Sequence, residues 1–351
     1  MNILLIMDPF IAVPPLHYGG IERVVADLAN ELTARGHALE LWAAPGSRTA
    51  APVRPFGREG EWSRWSGVRN TSLLTARLVR DASRFDVIHN FGRLAYLTSV
   101  FRRDVVKVQT YMRRVNPANM RLASRLGARQ LHFTAVSAAI KDTGAPGGGA
   151  WSVVYNCAPA ERYVPNYDVD PQAAPLAFLG RLERCKGAHT AIAVARQLGR
   201  TLHIAGNVSD LPEEREYFER EIRPEIDGEQ IVFLGPVDDA RKNQLLANAA
   251  AMLLPIEWEE PFPVVLPESL LCGTPVIAFR RGGVPEGIAH GRTGFLCDTA
   301  EQMAEAVNRL GELSRRECRR VGEERFSPAA IADEYERLYR QLLGSEQCRA
   351  S

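Results

Sequence analysis

EWEEPFPVVLPESLLCGTPVIAF, residues 257–279, is the stretch on which the fold of this 351-residue chain turns. The apolar run AAMLLP (250–255) leading into it predicts a buried strand. The Trp/Glu/Pro cluster predicts a loop, residues 264–271 one or two helical turns, and PVIAF a further strand. At such a strand-loop-helix junction the unpaired amides and positive dipole end of the helix favour an anion, a phosphate ester above all. Glu260 and Glu268 stand on either side of the turn. A carboxylate does not bind phosphate, but it accepts hydrogen bonds from the hydroxyls of a sugar or ribose attached to one. A phosphate site flanked by two hydroxyl acceptors suggests a nucleotide-sugar; the alternative is an ordinary helix start whose acidic residues answer to the dipole.

The same alternation runs outward in both directions. Upstream, strands are predicted at 2–7 (NILLIM), 38–43, 85–89 (FDVIH), 105–110 (VVKVQT), 131–137 (LHFTAVS) and 151–156 (WSVVYN), with helices at 21–35, 72–83 and 119–130 and an irregular loop at 45–68. The pattern restarts with LAFLG (176–180) and TLHIAG (201–206). A helix at 213–225, IVFLG (231–235) and a helix at 240–249 lead back to the opening stretch, and helices at 300–313 and 327–343 close the chain. Strands alternating with helices in this way imply parallel, doubly wound sheets. A chain of this length accommodates two domains, and the Pro-, Asp- and Asn-rich segment 158–174 reads as the linker.

Hydrophobic residues make up 46% and charged residues 24% of the chain, as in a globular protein. The first apolar run is short, lacks a basic flank and ends in Asp8-Pro9, so a cytoplasmic enzyme is expected. Six scattered cysteines form no CxxC pair, which argues against a zinc site or a disulfide framework. Residues 1–160 carry 20 Lys and Arg against 11 Asp and Glu, a balance of +9, and the remainder carries 23 against 31, a balance of −8. The basic half faces an acidic substrate or an anionic membrane surface, or the opposite charges help two domains close on each other. Arg121, Arg125 and Arg129 recur every four residues beside Met120, Leu122 and Leu126, a basic amphipathic face for an anionic acceptor or membrane, or simply a solvated one. Nothing points to nucleic acid.

Other candidates lie at strand ends. Gly19-Gly20, between the first strand and its helix, permit close backbone approach to a ligand or only make a tight turn, and the absence of GxGxxG there removes support for hydride chemistry. His89-Asn90 end the FDVIH strand, where they either point toward a ligand or serve the packing of the core. Arg181 and Lys186 flank the turn after FLG, where two cations can hold a diphosphate or, as the residues taken alone favour, simply belong to a surface loop with helix-associated charges. The Asp168-Val169-Asp170 triplet sits in the linker before Pro171 and is read as incidental, so no metal is expected.

Together these pieces resemble the retaining glycosyltransferases of family 4. The resemblance is carried by YGGIERVVADLANELTARGH, FDVIH, TAVSAAIK, FLGRLERCKG, the Glu260-x7-Glu268 pair in EPFPVVLPE, CGTPVIAFRRGGVPEGI, GRTGFL and the terminal FSPAAIADEYERLYRQLL. It implies the GT-B fold, an α/β architecture of two doubly wound, Rossmann-like domains facing a cleft. Residues 1–160 would bind the acceptor, 161–326 the nucleotide-sugar, and 327–351 would cross back to the first domain. It further implies transfer of a sugar from a nucleoside diphosphate sugar, with UDP the expected nucleotide, and retention of anomeric configuration. Arg181 and Lys186, next to Gly180, would hold the diphosphate and stabilise charge on the leaving group. Glu260 would contact the donor sugar, Glu268 the ribose, the amides around Pro263, Val264 and Val265 the distal phosphate, and Gly235 to Val237 would border the base. Gly19 and Gly20 would approach the phosphates, and His89 would stand near the reacting centre. No divalent metal would be required; the acceptor would be anionic or lipid-linked, met by a cytoplasmic enzyme peripheral to the inner membrane face. Three positions depart from the family pattern: Pro263 replaces a glycine and removes one amide donor, Phe91 stands where a second histidine is frequent, and Cys157 stands where glycine is common. A sugar-nucleotide epimerase or phosphorylase of the same fold, or a silent binding module, are the alternative readings.

Overall fold

Each of the two predicted strand-helix series folds on its own sheet. The computed structural model describes residues 1–15, 19–57 and 64–350; Tyr18 of the first quoted motif, and residues 58–63 of the expected loop, lie outside them. The described residues divide into two units, one within Met1–Cys157 and Pro328–Ser351, the other Ala158–Ser327. The sequence reading draws the boundary at 160/161, and the units meet at Cys157/Ala158.

In the first unit the strands are β1 (Asn2–Ile6), β2 (Ala38–Ala43), β3 (Val53–Pro55), β4 (Val87–Asn90), β5 (Val106–Tyr111), β6 (Leu131–Ala135) and β7 (Ala150–Val153). They form a parallel sheet ordered β3-β2-β1-β4-β5-β6-β7. Ile3 to Ile6 have no exposed surface because β1 is paired on both sides and covered on both faces, which is why NILLI is apolar at every position rather than at alternate ones. The helices are α1 (Gly20–Ala34), α2 (Arg64–Asp81), α3 (Pro117–Arg125) and α4 (Ala138–Gly144). The strand β3 and the early start of α2 correct the expected loop at 45–68. Among the described side chains of α2 only Asn70, Leu74 and Leu78 are fully buried, while Trp65, Val68, Leu73 and Val79 point outward, and this blurs its helical period. Helix α3 is shorter than expected. Asn116 caps its start by accepting a 3.0 Å bond from the Ala118 amide, and left-handed Gly127 and Gln130 end the segment, so Arg129 lies off the helix.

The second unit contains β8 (Leu176–Leu179), β9 (Leu202–Ala205), β10 (Ile231–Gly235), β11 (Met252–Leu254), β12 (Val276–Phe279) and β13 (Gly294–Cys297). Its parallel sheet is ordered β10-β9-β8-β11-β12-β13. Its helices are α5 (Ala188–Leu198), α6 (Pro212–Tyr217), α7 (Asp239–Ala247), α8 (Val265–Leu271), α9 (Val284–Gly287), α10 (Ala300–Asn308) and α11 (Arg315–Phe326). The sequence reading has no helix at α11, whose RRECRRVGEERF offers little apolar signal. It is held by ion pairs such as Arg319–Glu323 and Arg320–Glu324 at i, i+4 and by Arg319, which donates to the carbonyls of Leu271 and Tyr163 at 2.6 and 2.5 Å. Segment 158–174 is therefore no loose linker: its carbonyls and the Tyr163 side chain are bound into the second unit.

Helix α12 (Pro328–Ala350) belongs to the first unit. It packs beside α1, where Glu336 accepts a 2.9 Å bond from His37. Tyr335 and Tyr339 enter the core.

Candidate active site

The chain leaves β8 toward β9 on one side and leaves β11 toward β12 on the other. Their C-terminal ends thus open a crevice at the switch point of the sheet, where ligands of open α/β sheets bind. Two loops meet there, 180–187 after β8 and 255–264 after β11. They are joined by the Glu257 amide, which donates to the Cys185 carbonyl at 2.9 Å. Gly187, at φ +78°, makes this contact possible, since a Cβ there would lie 2.0 Å from the Pro255 carbonyl oxygen.

The contact brings together two residues 74 positions apart: Lys186 Nζ donates to Glu260 Oε2 at 2.5 Å. Both side chains are largely buried. Trp258, which the sequence reading treats only as loop, donates from its indole Nε1 to the same oxygen at 2.7 Å. Its ring centroid lies 5.3 Å from the Lys186 ammonium. Glu260 Oε1 accepts no hydrogen bond among the described residues. Arg181 stands one residue beyond Gly180, whose amide donates to the Ala205 carbonyl at 3.1 Å, and its guanidinium pairs with the buried carboxylate of Glu183.

Glu268 lies one turn into α8 and is buried. Its Oε1 accepts from Tyr163 Oη and from Lys242 Nζ, both at 2.7 Å, while Oε2 has no hydrogen-bond partner among the described residues. Burial, then the Glu268 charge, raises the Tyr163 hydroxyl far above its ordinary range, so it remains a proton donor. Neither Tyr163 nor Lys242 stands out in the sequence. Lys242 carries no motif of its own, but its place on α7 directly after β10 was the available signal. The amides of Val264 and Val265 donate to no acceptor among the described residues. Pro263 has no amide to give, and its carbonyl accepts from Leu266 at 3.1 Å, starting the turn. Gly235 ends β10 and its carbonyl accepts from the Gly206 amide at 3.0 Å, with half-buried Val237 two residues on.

In the first unit, Gly19 and Gly20 open α1. Glu22 beside them is a buried carboxyl whose pKa is raised, chiefly by burial, and which the sequence reading missed. His89 is a correction. It has no exposed surface, Nδ1 lies 2.6 Å from Tyr339 Oη and Nε2 lies 2.6 Å from Thr110 Oγ1. Phe91 covers it at 4.1 Å between centroids, and burial lowers its pKa to about 3. With both nitrogens engaged, it is a neutral bridge from β4 to α12 rather than a reacting group. Its neighbour Asn90 is equally occupied, donating to Gln109 Oε1 at 2.6 Å.

Asp168 and Asp170 are exposed, and Asp170 accepts from the Gln172 amide at 2.8 Å as a turn former. Among the described residues no cluster of His, Cys, Asp or Glu has the arrangement of a metal site, and no helix is long and apolar enough to cross a membrane.

Residues 18–162 match the model of Glycosyltransferase Family 4, and residues 163–325 that of Glycosyl transferases group 1. Over 127 residues the chain is 35% identical to the N-acetyl-alpha-D-glucosaminyl L-malate synthase of Bacillus anthracis, covering 34% of this chain and 32% of that protein. The match thus spans about a third of that relative's length. Among solved structures, AviGT4, a glycosyltransferase involved in avilamycin A biosynthesis, is 27% identical, with a TM-score of 0.70 over 98% of both chains. Anabaena Alr3699/HepE, solved in complex with UDP and glucose, is 20% identical, with a TM-score of 0.74 over 96% of this chain and 99% of that one, which speaks to the fold alone. With two parallel sheets of the GT-B kind and the two family models covering its successive halves, the chain belongs to the glycosyltransferases of family 4.

Proposed function

We propose that the protein transfers a sugar from a nucleoside diphosphate sugar, with UDP the expected nucleotide, to an acceptor hydroxyl with retention of anomeric configuration. The observation that carries this reading is the meeting of Lys186 and Glu260 at the switch point of the second sheet. Lys186 and Arg181 hold the diphosphate, and the Val264 and Val265 amides take the distal phosphate. Glu260 receives hydroxyls of the donor sugar on Oε1, and Glu268 receives the ribose on Oε2. The bond from the anomeric carbon to the diphosphate oxygen breaks, the acceptor oxygen bonds the same face of that carbon, and its proton passes to the departing phosphate. The cations stabilise the charge that builds on the diphosphate, an electrostatic contribution that requires no metal. Binding of UDP and UDP-glucose by Anabaena HepE supports the choice of nucleotide.

The acceptor is anionic or lipid-linked, and the protein works in the cytoplasm, peripheral to the inner membrane face. Support comes from the surface of the first unit. Helix α2 exposes Trp65, Val68, Leu73 and Val79 beside Arg69 and Arg80, and its one acidic residue, Asp81, is buried. Helix α3 exposes Leu122 beside Arg121 and Arg125, and Leu126 just past its end is exposed as well. Residues 105–141 contain no Asp or Glu. Exposed apolar side chains beside arginines suit the interface of an anionic bilayer.

Thermal-shift titration with UDP-, GDP- and ADP-sugars tests the donor, since a ligand at 100 times its Kd adds about 2.7 kcal/mol. The anomeric coupling constant of the product tests retention. Activity unchanged by EDTA and by Asp168→Ala with Asp170→Ala supports metal independence; loss restored by manganese refutes it. Free isomerised sugar-nucleotide as product would select an epimerase instead.

A further inference from the structure

We propose that Trp258 is a positioning residue for the donor sugar, fixing the Glu260 carboxylate so that Oε1 stays turned to the sugar while Lys186 serves the diphosphate; this rests on the donor-site reading above. The backbone of Glu260 is already pinned. Its amide donates to the Trp258 carbonyl at 2.8 Å, and its carbonyl accepts from the Gly283 amide at 2.8 Å. Gly282, at φ +56°, lets the neighbouring loop approach, as a Cβ there would lie 2.2 Å from the Glu260 carbonyl oxygen. Side-chain rotation is what remains. The Trp258 indole N–H removes it by holding Oε2 at 2.7 Å, the oxygen that Lys186 holds at 2.5 Å.

The two donors differ in what a diphosphate does to them. The ammonium of Lys186 has three N–H groups and a mobile charge, so a bound diphosphate draws it away from the carboxylate. Glu260 is only 8% exposed, and a buried carboxylate that loses its cation needs another donor. The indole N–H is neutral and has no affinity for a diphosphate comparable with that of a cation, so it stays. Its ring, 5.3 Å from Nζ, also stabilises the ammonium without consuming an N–H. Trp258 itself is 42% exposed, so packing alone does not account for its place. One side chain thereby keeps Glu260 oriented and leaves Lys186 able to shift.

Trp258→Phe keeps the ring and deletes the donor. It is compared with wild type, Glu260→Gln and the double variant, using whichever nucleotide and glucose ester stabilise the protein, UDP and UDP-glucose first. The expected result is nucleotide affinity within about twofold of wild type, with kcat/KM for the sugar ester lower by about 10- to 100-fold, the loss of one hydrogen bond to a charged group. In the Glu260→Gln background the tryptophan change should add little, because it acts through that carboxylate. An effect of Trp258→Phe below twofold, or one that persists undiminished in the Glu260→Gln background, overturns the inference while leaving the donor site intact. Wild-type turnover by both Glu260→Gln and Lys186→Ala would overturn the donor-site reading and this inference with it.

Discussion

Lys186 Nζ and Glu260 Oε2 lie 2.5 Å apart, so the cation assigned to the diphosphate and the carboxylate assigned to the sugar neutralise each other before any donor arrives. The pair stores neither charge unpaired in a poorly solvated crevice, and each partner retains hydrogen-bonding capacity for a ligand.

Removing one member should therefore act on both rate and stability. Lys186→Ala is expected to slow single-turnover sugar transfer by about 100- to 1,000-fold, the usual cost of a lost preorganised electrostatic contact. Its melting temperature should also fall, because Glu260 is left buried without its cation. Lys186→Ala combined with Glu260→Gln should melt higher than Lys186→Ala alone. Arg181→Lys should also lose rate, since an ammonium does not reproduce the planar fork. A Lys186→Ala protein with wild-type rate would mean that the turn after β8 is only surface.

Glu268 is held by Lys242 and Tyr163, which share its Oε1 and leave Oε2 open for the ribose contact proposed above. Lys242→Met should raise the donor KM by about tenfold or more, the scale of one charge-assisted hydrogen bond. The penalty should shrink for a donor lacking the ribose 2′- and 3′-hydroxyls. Equal penalties on the two donors would place Lys242 outside ribose recognition.

His89 makes the first unit sensitive to acid. Its pKa falls from an ordinary 6.5 to about 3 through burial, so between these values the unfolded chain binds a proton that the folded one does not. Stability attributable to this residue is complete above pH 6.5 and is lost as pH falls toward 3. The slope is at most about 1.4 kcal/mol per pH unit. Chemical denaturation from pH 7 to 4 should show that slope, and His89→Gln should flatten it. Transfer activity at pH 7 in a folded His89→Gln protein should survive, as the imidazole hydrogen-bonds only to Tyr339 and Thr110 among the described residues.

The protein should bind vesicles containing anionic lipid through the exposed faces of α2 and α3 and ignore neutral ones. Changing Arg121, Arg125 and Arg129 to Gln should weaken binding by about fivefold for each residue near the surface, and added salt should do the same. Val68→Glu should weaken it through the exposed apolar residues of α2, with no change in hydrolysis of donor in solution. Wild-type vesicle binding by both variants would make the face merely solvated.

What the sequence determined by itself was the series of elements. Fully buried parallel strands read as unbroken apolar runs, as NILLI and LAFL do, and the helices between them keep an apolar stripe, so the sheet architecture follows from local pattern alone. Glu260 and Lys186 were legible as candidates because each stands in a loop that follows such a run, and the family resemblance rather than local pattern gave Lys186 its expected role. Tertiary structure alone decided which groups meet: Trp258 with Glu260, Lys242 and Tyr163 with Glu268, and Tyr339 with His89, separated by 2, 26, 105 and 250 positions. Even the first of these sits within distant packing, since the turn that closes Glu260 onto Trp258 lies against the loop at Gly282, where a Cβ would stand 2.2 Å from the Glu260 carbonyl oxygen. His89 is the sharpest case. Its position at a strand end promised a ligand, and the distant helix α12 instead closed over it, because a histidine's role is set by what its two nitrogens touch, and that is a property of the packed core.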